Sequence, residues 1–252
     1  MGYIMKIGII CGYEINELIN NSEKIIVETI YGNVPIKFVK YKKNDIYFIN
    51  RHGENKNIPP HKINYRANIQ ALNSCKIDNI ISILTVGSMK KKIRAGDFVI
   101  PDDFIDFTKS RCLSYFDEDR IHIDMNNPFC PSLRKLLIES CEKIEKIKIH
   151  NKGIYITTEG PRLETASEIK YFSNYSDIVG MTLVPEISLA REKGICYVSI
   201  CIVCNMAAGL QKELSIDEIS NTFIERKPQL FNVIQNFLQI IENKNMCKCI
   251  NK

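Results

Sequence analysis

The chain has 252 residues, 45% of them hydrophobic, and 34 Lys and Arg against 29 Asp and Glu give a formal net charge of +5. This suits one α/β domain with a large core rather than two small ones. The cationic excess is dispersed in runs such as KYKKND and MKKKIR, which read as solvated faces rather than a nucleic-acid surface, and no apolar stretch approaches the ~18 residues of a membrane span.

In chain order, residues 5–11 (MKIGIIC) are short, apolar and β-branched, and predict a buried strand. Residues 24–30 and 34–40 alternate in polarity around Gly32-Asn33, which predicts a hairpin. DIYFIN (45–50) is a further strand and delivers Arg51-His52-Gly53 at its exit. From His61 to Leu72 the apolar residues Ile63, Ala67, Ile69 and Leu72 recur at helical spacing. NIISILT (79–85), GDFVIP and GIYITTEGP read as strands, and 131–146 as a helix. A helix (164–174), strand (177–180), helix (184–193) and strand (195–203) follow, then helical segments to about residue 243, with Pro228 expected to kink or restart the last. Strands alternating with helices predict a three-layer α/β fold: a mixed, mostly parallel sheet flanked by helices. One domain spans 1–243, and a disordered tail is expected over 244–252.

The ten cysteines are scattered, as expected of free thiols in a reducing cytosol. Cys201 and Cys204 stand three apart in a predicted strand, so they face opposite sides of the sheet and form no zinc knuckle. The amino-terminal MGYIMKIGII runs directly into a strand pattern without a cleavage region, and Lys6 stands where a myristoylation motif needs Ser or Thr, so a cytoplasmic protein is expected.

Ligands of such sheets bind at the carboxyl ends of strands. Polar residues gather there: Arg51-His52, then Thr85-Val86-Gly87-Ser88, Glu159-Gly-Pro-Arg162, Met181-Thr182 and Asn205. Arg51 is a fixed cation with a planar fork of donors suited to phosphate or carboxylate. His52 beside it has its charged form disfavoured unless an anion is present. Gly87 and Ser88 offer backbone N–H groups to that anion. No carboxylate or cysteine keeps metal-ligand spacing with His52 and His61, so no metal is expected. Gly8 and Gly12 lack the remaining glycines of a dinucleotide fingerprint.

The runs RHGENKNIPPHKINYRANIQAL, VGSMKKKIRAGDFVIPDDFIDFTKSR, NNPFCP, EGPRLETASEI, VGMTLVPEISLAREKGICY and VCNMAAG stand in one order over most of residues 5–243. Together they resemble the trimeric purine nucleoside phosphorylase and methylthioadenosine (methylthioinosine) phosphorylase family. The resemblance implies a pentosyltransferase: inorganic phosphate attacks C1′ of a purine nucleoside, giving the free base and a (5-methylthio)ribose 1-phosphate with no cofactor. It implies that Arg51, His52, Thr85, Thr182 and Tyr13 bind phosphate, that Met181 lies against the ribose, and that Asn205 and Leu163 meet the purine. His52 and Asn205 carry the chemistry. Family members preferring 6-aminopurines carry Asp at the position of Asn205, so a 6-oxopurine is expected. Ile216 and Ile219 match apolar positions around a 5′-methylthio group, and His122 matches a residue that reaches in from a neighbouring subunit of a homotrimer. The substrates implied are 5′-methylthioinosine, inosine or guanosine.

Two positions depart from the family. Tyr13-Glu14 replaces a glycine-rich turn with a Ser or Thr hydroxyl, and Leu163 replaces a Phe that stacks on the purine. Two alternatives therefore stand: a diverged member that binds nucleosides with weak or no phosphorolysis, and a methylthioadenosine phosphorylase.

Overall fold

A computed structural model describes residues 4–212, 215–241 and 247, with Ile216 described by its backbone alone. The apolar runs form eleven strands in one sheet. These are β1 (Lys6–Cys11), β2 (Glu23–Val27), β3 (Val34–Tyr41), β4 (Asn44–Asn50), β5 (Asn79–Ser88), β6 (Phe98–Val99), β7 (Asp103–Phe107), β8 (Ile149–His150), β9 (Ile154–Thr158), β10 (Ile178–Gly180) and β11 (Cys196–Met206). The helices are α1 (Asn16–Ile19), α2 (Tyr65–Ser74), α3 (Pro131–Cys141), α4 (Ala166–Phe172), α5 (Glu186–Glu192) and α6 (Ile216–Ile241). The sheet is mixed: β1 runs parallel to β4 and β5, and β5 parallel to β11, whereas β2–β3–β4 is antiparallel.

Alternation along the strands divides the core in two. Ile7, Ile9 and Cys11 of β1 face a cluster with α3 and α6, and Ile10 faces the cluster with α2 and α5. Cys204 and Cys201 fall on these two opposite faces, as their spacing requires. The result is the three-layer fold expected. The predicted hairpin forms with Val27 opposite Val34.

Boundaries differ where side chains compete for the backbone. The helix expected from His61 begins at Tyr65, because the Asn64 side chain accepts from the Ala67 N–H at 3.1 Å and caps it there. Pro60–Lys62 form a separate 3-10 turn. Helix α6 runs through Pro228 without restarting. The short strands β7 and β8 and the single turn α1 were not anticipated. Of the expected tail over 244–252, only Cys247 lies within the described residues, packed against the α3–α6 cluster. No described helix is long and apolar enough to cross a membrane.

The ring of Phe237 is completely buried between α6 and the sheet. Phe237→Ala is expected to lower the unfolding free energy by ~3–5 kcal/mol, read as a lower urea midpoint at unchanged m-value.

Candidate active site

Strand β5 changes partner along one edge. That edge pairs with β1 as far as Ile83 and with β10 from Gly87, while β11 covers the other edge over the whole length. Between Ile83 and Gly87 the edge has no ladder partner among the described residues. The chain leaving β1 (Cys11 to Tyr13) and the chain leaving β10 (Gly180 to Thr182) diverge around this gap. The cavity in the gap is lined by both, together with Thr85, Val86 and Gly87. Burial pushes the Cys11 thiol up to about 11, so it presents a neutral wall.

Arg51 and His52 reach the cavity from the end of β4. Arg51 is 2% exposed, and its donors are mostly committed. Nε donates to Glu186 Oε2 at 2.8 Å and Nη2 to Oε1 at 3.0 Å, a bidentate pair. Nη2 also donates to Ser82 Oγ at 2.7 Å and Nη1 to the Ile83 carbonyl at 3.0 Å. The expectation that the fork is free for an anion is corrected accordingly. Its two-pronged face grips Glu186, leaving one Nη1 hydrogen without an acceptor among the described residues. Glu186 is fully buried and also accepts from the Tyr197 hydroxyl and Ser82 Oγ, both at 2.7 Å. It sits at the start of α5, so this network ties that helix to the floor of the cavity.

His52 Nδ1 is 2.7 Å from the Ile58 carbonyl. A carbonyl only accepts, so Nδ1 carries the hydrogen and Nε2 is bare in the neutral ring. Burial, and to a lesser degree Arg51, holds the imidazole pKa below its ordinary value. An anion at the gap would favour protonation of Nε2 and receive its hydrogen bond. Thr85 and Thr182 line the same cavity. The close fit beyond β10 depends on Gly180, because a Cβ there would lie 2.0 Å from the buried Tyr155 hydroxyl. Gly160 is also closely packed, with φ of +65° and the Met181 sulfur 2.6 Å from where its Cβ would be.

Asn205 and Glu164 bring hydrogen-bonding groups of both kinds to the cavity wall. In β11 the register shifts between Val203 and Asn205, a bulge that redirects the strand beside the cavity. Asn205 is 7% exposed, and its Nδ2 donates to the Met206 carbonyl at 2.9 Å. That carbonyl fixes which way the amide faces, leaving Oδ1 as acceptor and one Nδ2 hydrogen as donor. Glu164, a residue sequence reasoning missed, also lines the cavity and accepts from Thr158 Oγ1 at 2.6 Å. Glu159 and Arg162, which had looked like strand-exit site residues, serve elsewhere: Glu159 accepts from the Lys109 N–H and Ser110 Oγ. Arg162 is exposed and forks onto Glu168 of the α4 capping box.

The departures at the first strand exit resolve in space. Tyr13 lines the cavity, but its ring stacks on Phe223 at 4.3 Å and its hydroxyl meets Ser220 Oγ at 3.5 Å. The expected phosphate contact from Tyr13 is therefore corrected: the longer side chain carries its oxygen to α6 and joins the wall formed by Ile219 and Phe223. Glu14 is absent from the cavity lining. The Lys37 ammonium, then the Asn50 amide, hold its carboxyl down to about 2, and Lys56 stands 3.5 Å away. Leu163 and Met181 line the cavity. His122 is exposed in the irregular stretch before α3 and does not line it. The side chain of Ile216 lies outside the described residues.

A family model described as the phosphorylase superfamily matches residues 6–239. A probable S-methyl-5′-thioinosine phosphorylase of Methanocaldococcus jannaschii is 41% identical, over 96% of this chain and 96% of the relative. A probable 6-oxopurine nucleoside phosphorylase of Dictyoglomus turgidum is 42% identical, over 98% and 96%. An S-methyl-5′-thioadenosine phosphorylase of Pyrococcus furiosus is 37% identical, over 97% and 96%. Among solved structures, a methylthioadenosine phosphorylase from an antarctic soil metagenomic library superposes with a TM-score of 0.92 at 28% identity, covering 98% of this chain and 90% of that one.

The Arg51–Glu186 pair gives this site a distinct vulnerability. Glu186→Gln leaves a buried guanidinium without its counter-charge. It is expected to cost ~3–5 kcal/mol of stability, measured by chemical denaturation. A change under about 1 kcal/mol would mean that solvent or another group compensates the guanidinium.

Proposed function

The chain belongs to the phosphorylase superfamily, and on that premise we propose that it catalyses phosphorolysis of a purine nucleoside, with 6-oxopurines preferred. The base preference rests on Asn205 and Glu164, which both line the cavity and bring it a spare amide donor and a carboxylate acceptor. A 6-oxopurine presents an oxygen at C6 and a hydrogen on N1. The spare Nδ2 hydrogen of Asn205 can donate to O6, and the Glu164 carboxylate can accept from N1–H. Adenine reverses both groups: its amine donates and its N1 carries a lone pair, which would face the carboxylate. Asn205 Oδ1 accepts from N7–H as the base leaves. The Pyrococcus relative keeps a methylthioadenosine substrate as a second reading.

In this reading phosphate occupies the gap in the β5 edge. Backbone groups near Thr85, the Thr182 hydroxyl, His52 Nε2 and the remaining Arg51 Nη1 hydrogen hold it below C1′. The transition state carries positive charge on the ribose and negative charge on the departing purine. An anion under the first and donors on the second lower the barrier, with no covalent enzyme intermediate. At the 5′ end, Ile219, Phe223 and the ring of Tyr13 form an apolar wall. Burying a 5′-hydroxyl there without a partner costs ~1–3 kcal/mol, which favours a 5′-methylthio group and hence methylthioinosine over inosine or guanosine. Neutralisation of Glu14 by Lys37 removes the repulsion that would favour a non-catalytic binder. The active form is a homotrimer in the cytoplasm, with His122 completing a neighbouring site. The nine described cysteines are free thiols, which fits that compartment.

The primary test is base release from methylthioinosine, inosine and methylthioadenosine with and without phosphate. Phosphate-dependent release is expected, fastest for methylthioinosine. Release without phosphate would instead mark a nucleosidase, and binding without release a diverged binder. His52→Ala should raise the KM for phosphate at least ~10-fold, with a smaller effect on nucleoside, since a hydrogen bond to a charged group contributes ~1.5–3 kcal/mol.

Glu164→Gln puts an amide where N1 lies, able to donate to adenine. The ratio of kcat/KM for methylthioinosine to that for methylthioadenosine should fall by roughly 10- to 100-fold. An unmoved ratio would show that Glu164 does not read the base.

A further inference from the structure

Arg111 stands in the irregular stretch that follows β7, and no cavity-lining residue is its immediate neighbour in sequence. Its side chain is nonetheless only 2% exposed. Nη1 donates to the Met181 carbonyl at 2.7 Å and to the Val184 carbonyl at 2.6 Å. Nη2 donates to the Glu159 carbonyl at 2.7 Å and the Thr158 carbonyl at 3.2 Å. Nη1 also reaches the Tyr65 hydroxyl at 3.2 Å, which itself donates to the carbonyl of the cavity residue Pro60 at 2.9 Å.

These acceptors belong to two segments that part company. The parallel ladder between β9 and β10 ends where Thr157 pairs with Gly180. Beyond it, one segment continues to Leu163 and Glu164, and the other to Met181 and Thr182; all four residues line the cavity. The guanidinium takes over as the cross-link where the ladder stops. A planar fork with two donors on each terminal nitrogen suits two pairs of carbonyls; a lysine ammonium is a single point with three donors and cannot span both.

We propose that Arg111 is a positioning residue that sets the separation of these two segments and so couples occupancy of the purine end to occupancy of the anion end. This rests on purine and phosphate being the occupants, as assigned above. The segment bearing Glu164 meets the base, and the segment bearing Thr182 meets the anion. Their spacing matters most when both ligands are present and in register for attack, where a displacement near 1 Å can cost about 100-fold in rate. Each ligand alone can be followed by its own segment.

The test compares wild type with Arg111→Lys, and with Tyr65→Phe as a milder change that removes one acceptor of Arg111. Calorimetry measures hypoxanthine binding with and without phosphate, phosphate binding alone, and kcat per binding-competent site. In wild type, phosphate and hypoxanthine should alter each other's affinity by about fivefold or more. In Arg111→Lys that factor should approach one and kcat per site should fall roughly 10- to 100-fold, while each ligand alone binds within about threefold of wild type. Tyr65→Phe should move the same quantities less. A purely structural role predicts a lower melting temperature and fewer competent sites, with coupling and kcat per site unchanged; that result overturns the proposal. So does the absence of coupling in wild type, and so does collapse of Arg111→Lys with Tyr65→Phe indistinguishable from wild type in both quantities. Wild-type coupling without turnover would sink the phosphorolysis reading and leave the positioning role standing.

Discussion

Strand β5 has two edges and three partners, and the cavity exists because of that mismatch. β11 runs along one edge for its full length, so β1 and β10 must divide the other. One arrives parallel and the other antiparallel, and neither can extend into the other's ladder. On that edge the interval at Leu84 to Val86 has no ladder partner among the described residues, and main-chain groups left enclosed demand one. The N–H groups among them would be met by an oxyanion, which accepts and does not donate, so on the proposed reading the anion end follows from sheet topology before any side chain is considered. The side chains around it then refine the fit.

The gap would be a weak point in the sheet without reinforcement from below. Arg51 supplies it. One guanidinium ties the carboxylate of Glu186 to Ser82 and to the carbonyls of Ile10 and Ile83. Those atoms belong to β1, β5 and α5, the elements that would otherwise drift apart at an interrupted edge. A buried ion pair is not intrinsically stabilising against an apolar replacement of the same shape. Its value here is directional: it orients β4's exit, and with it His52, whose own ring is turned by the Ile58 carbonyl. The guanidinium charge is thus mostly spent on shape, and the cationic character left for an anion is partial.

The layered fold could be read from the chain because buried strands are short apolar runs and their helices carry an apolar face, signals local to a few residues. DFIDF at 103–107 escaped because Asp103 and Asp106 stand three apart and break the two-residue period, in an edge strand with no buried residue. Two-residue strands such as β8 carry no period at all. Among site residues, Arg51, His52, Thr85, Thr182 and Asn205 could be singled out because they lie at or just beyond the carboxyl ends of apolar runs, where such sheets bind ligands. Their partners could not. Glu186 lies 135 positions from Arg51, and only the fold brings them together. Glu164 was hidden in a stretch, LETASE, whose spacing announces a helix cap; the capping role falls to Thr165 and Glu168, and Glu164 is the residue left over to face inward. Tyr13 was recognisable as too long for the position it fills, but its direction depended on the presence of Phe223, 210 residues further on.

The bond from Asn205 Nδ2 to the carbonyl of Met206 has a historical consequence. The main chain itself dictates the amide's orientation, and an acceptor occupies the place where a carboxylate oxygen would have to lie. An aspartate introduced at this position would meet that carbonyl oxygen to oxygen, and relief would require a proton shared between them. The proton would then be engaged with the backbone instead of with a departing adenine. With this bulge, aspartate at position 205 alone would not supply that proton while the Met206 carbonyl holds its place. On the proposed reading, the backbone at the bulge constrains the base as much as the side chain does, and relatives with opposite preferences should differ at both.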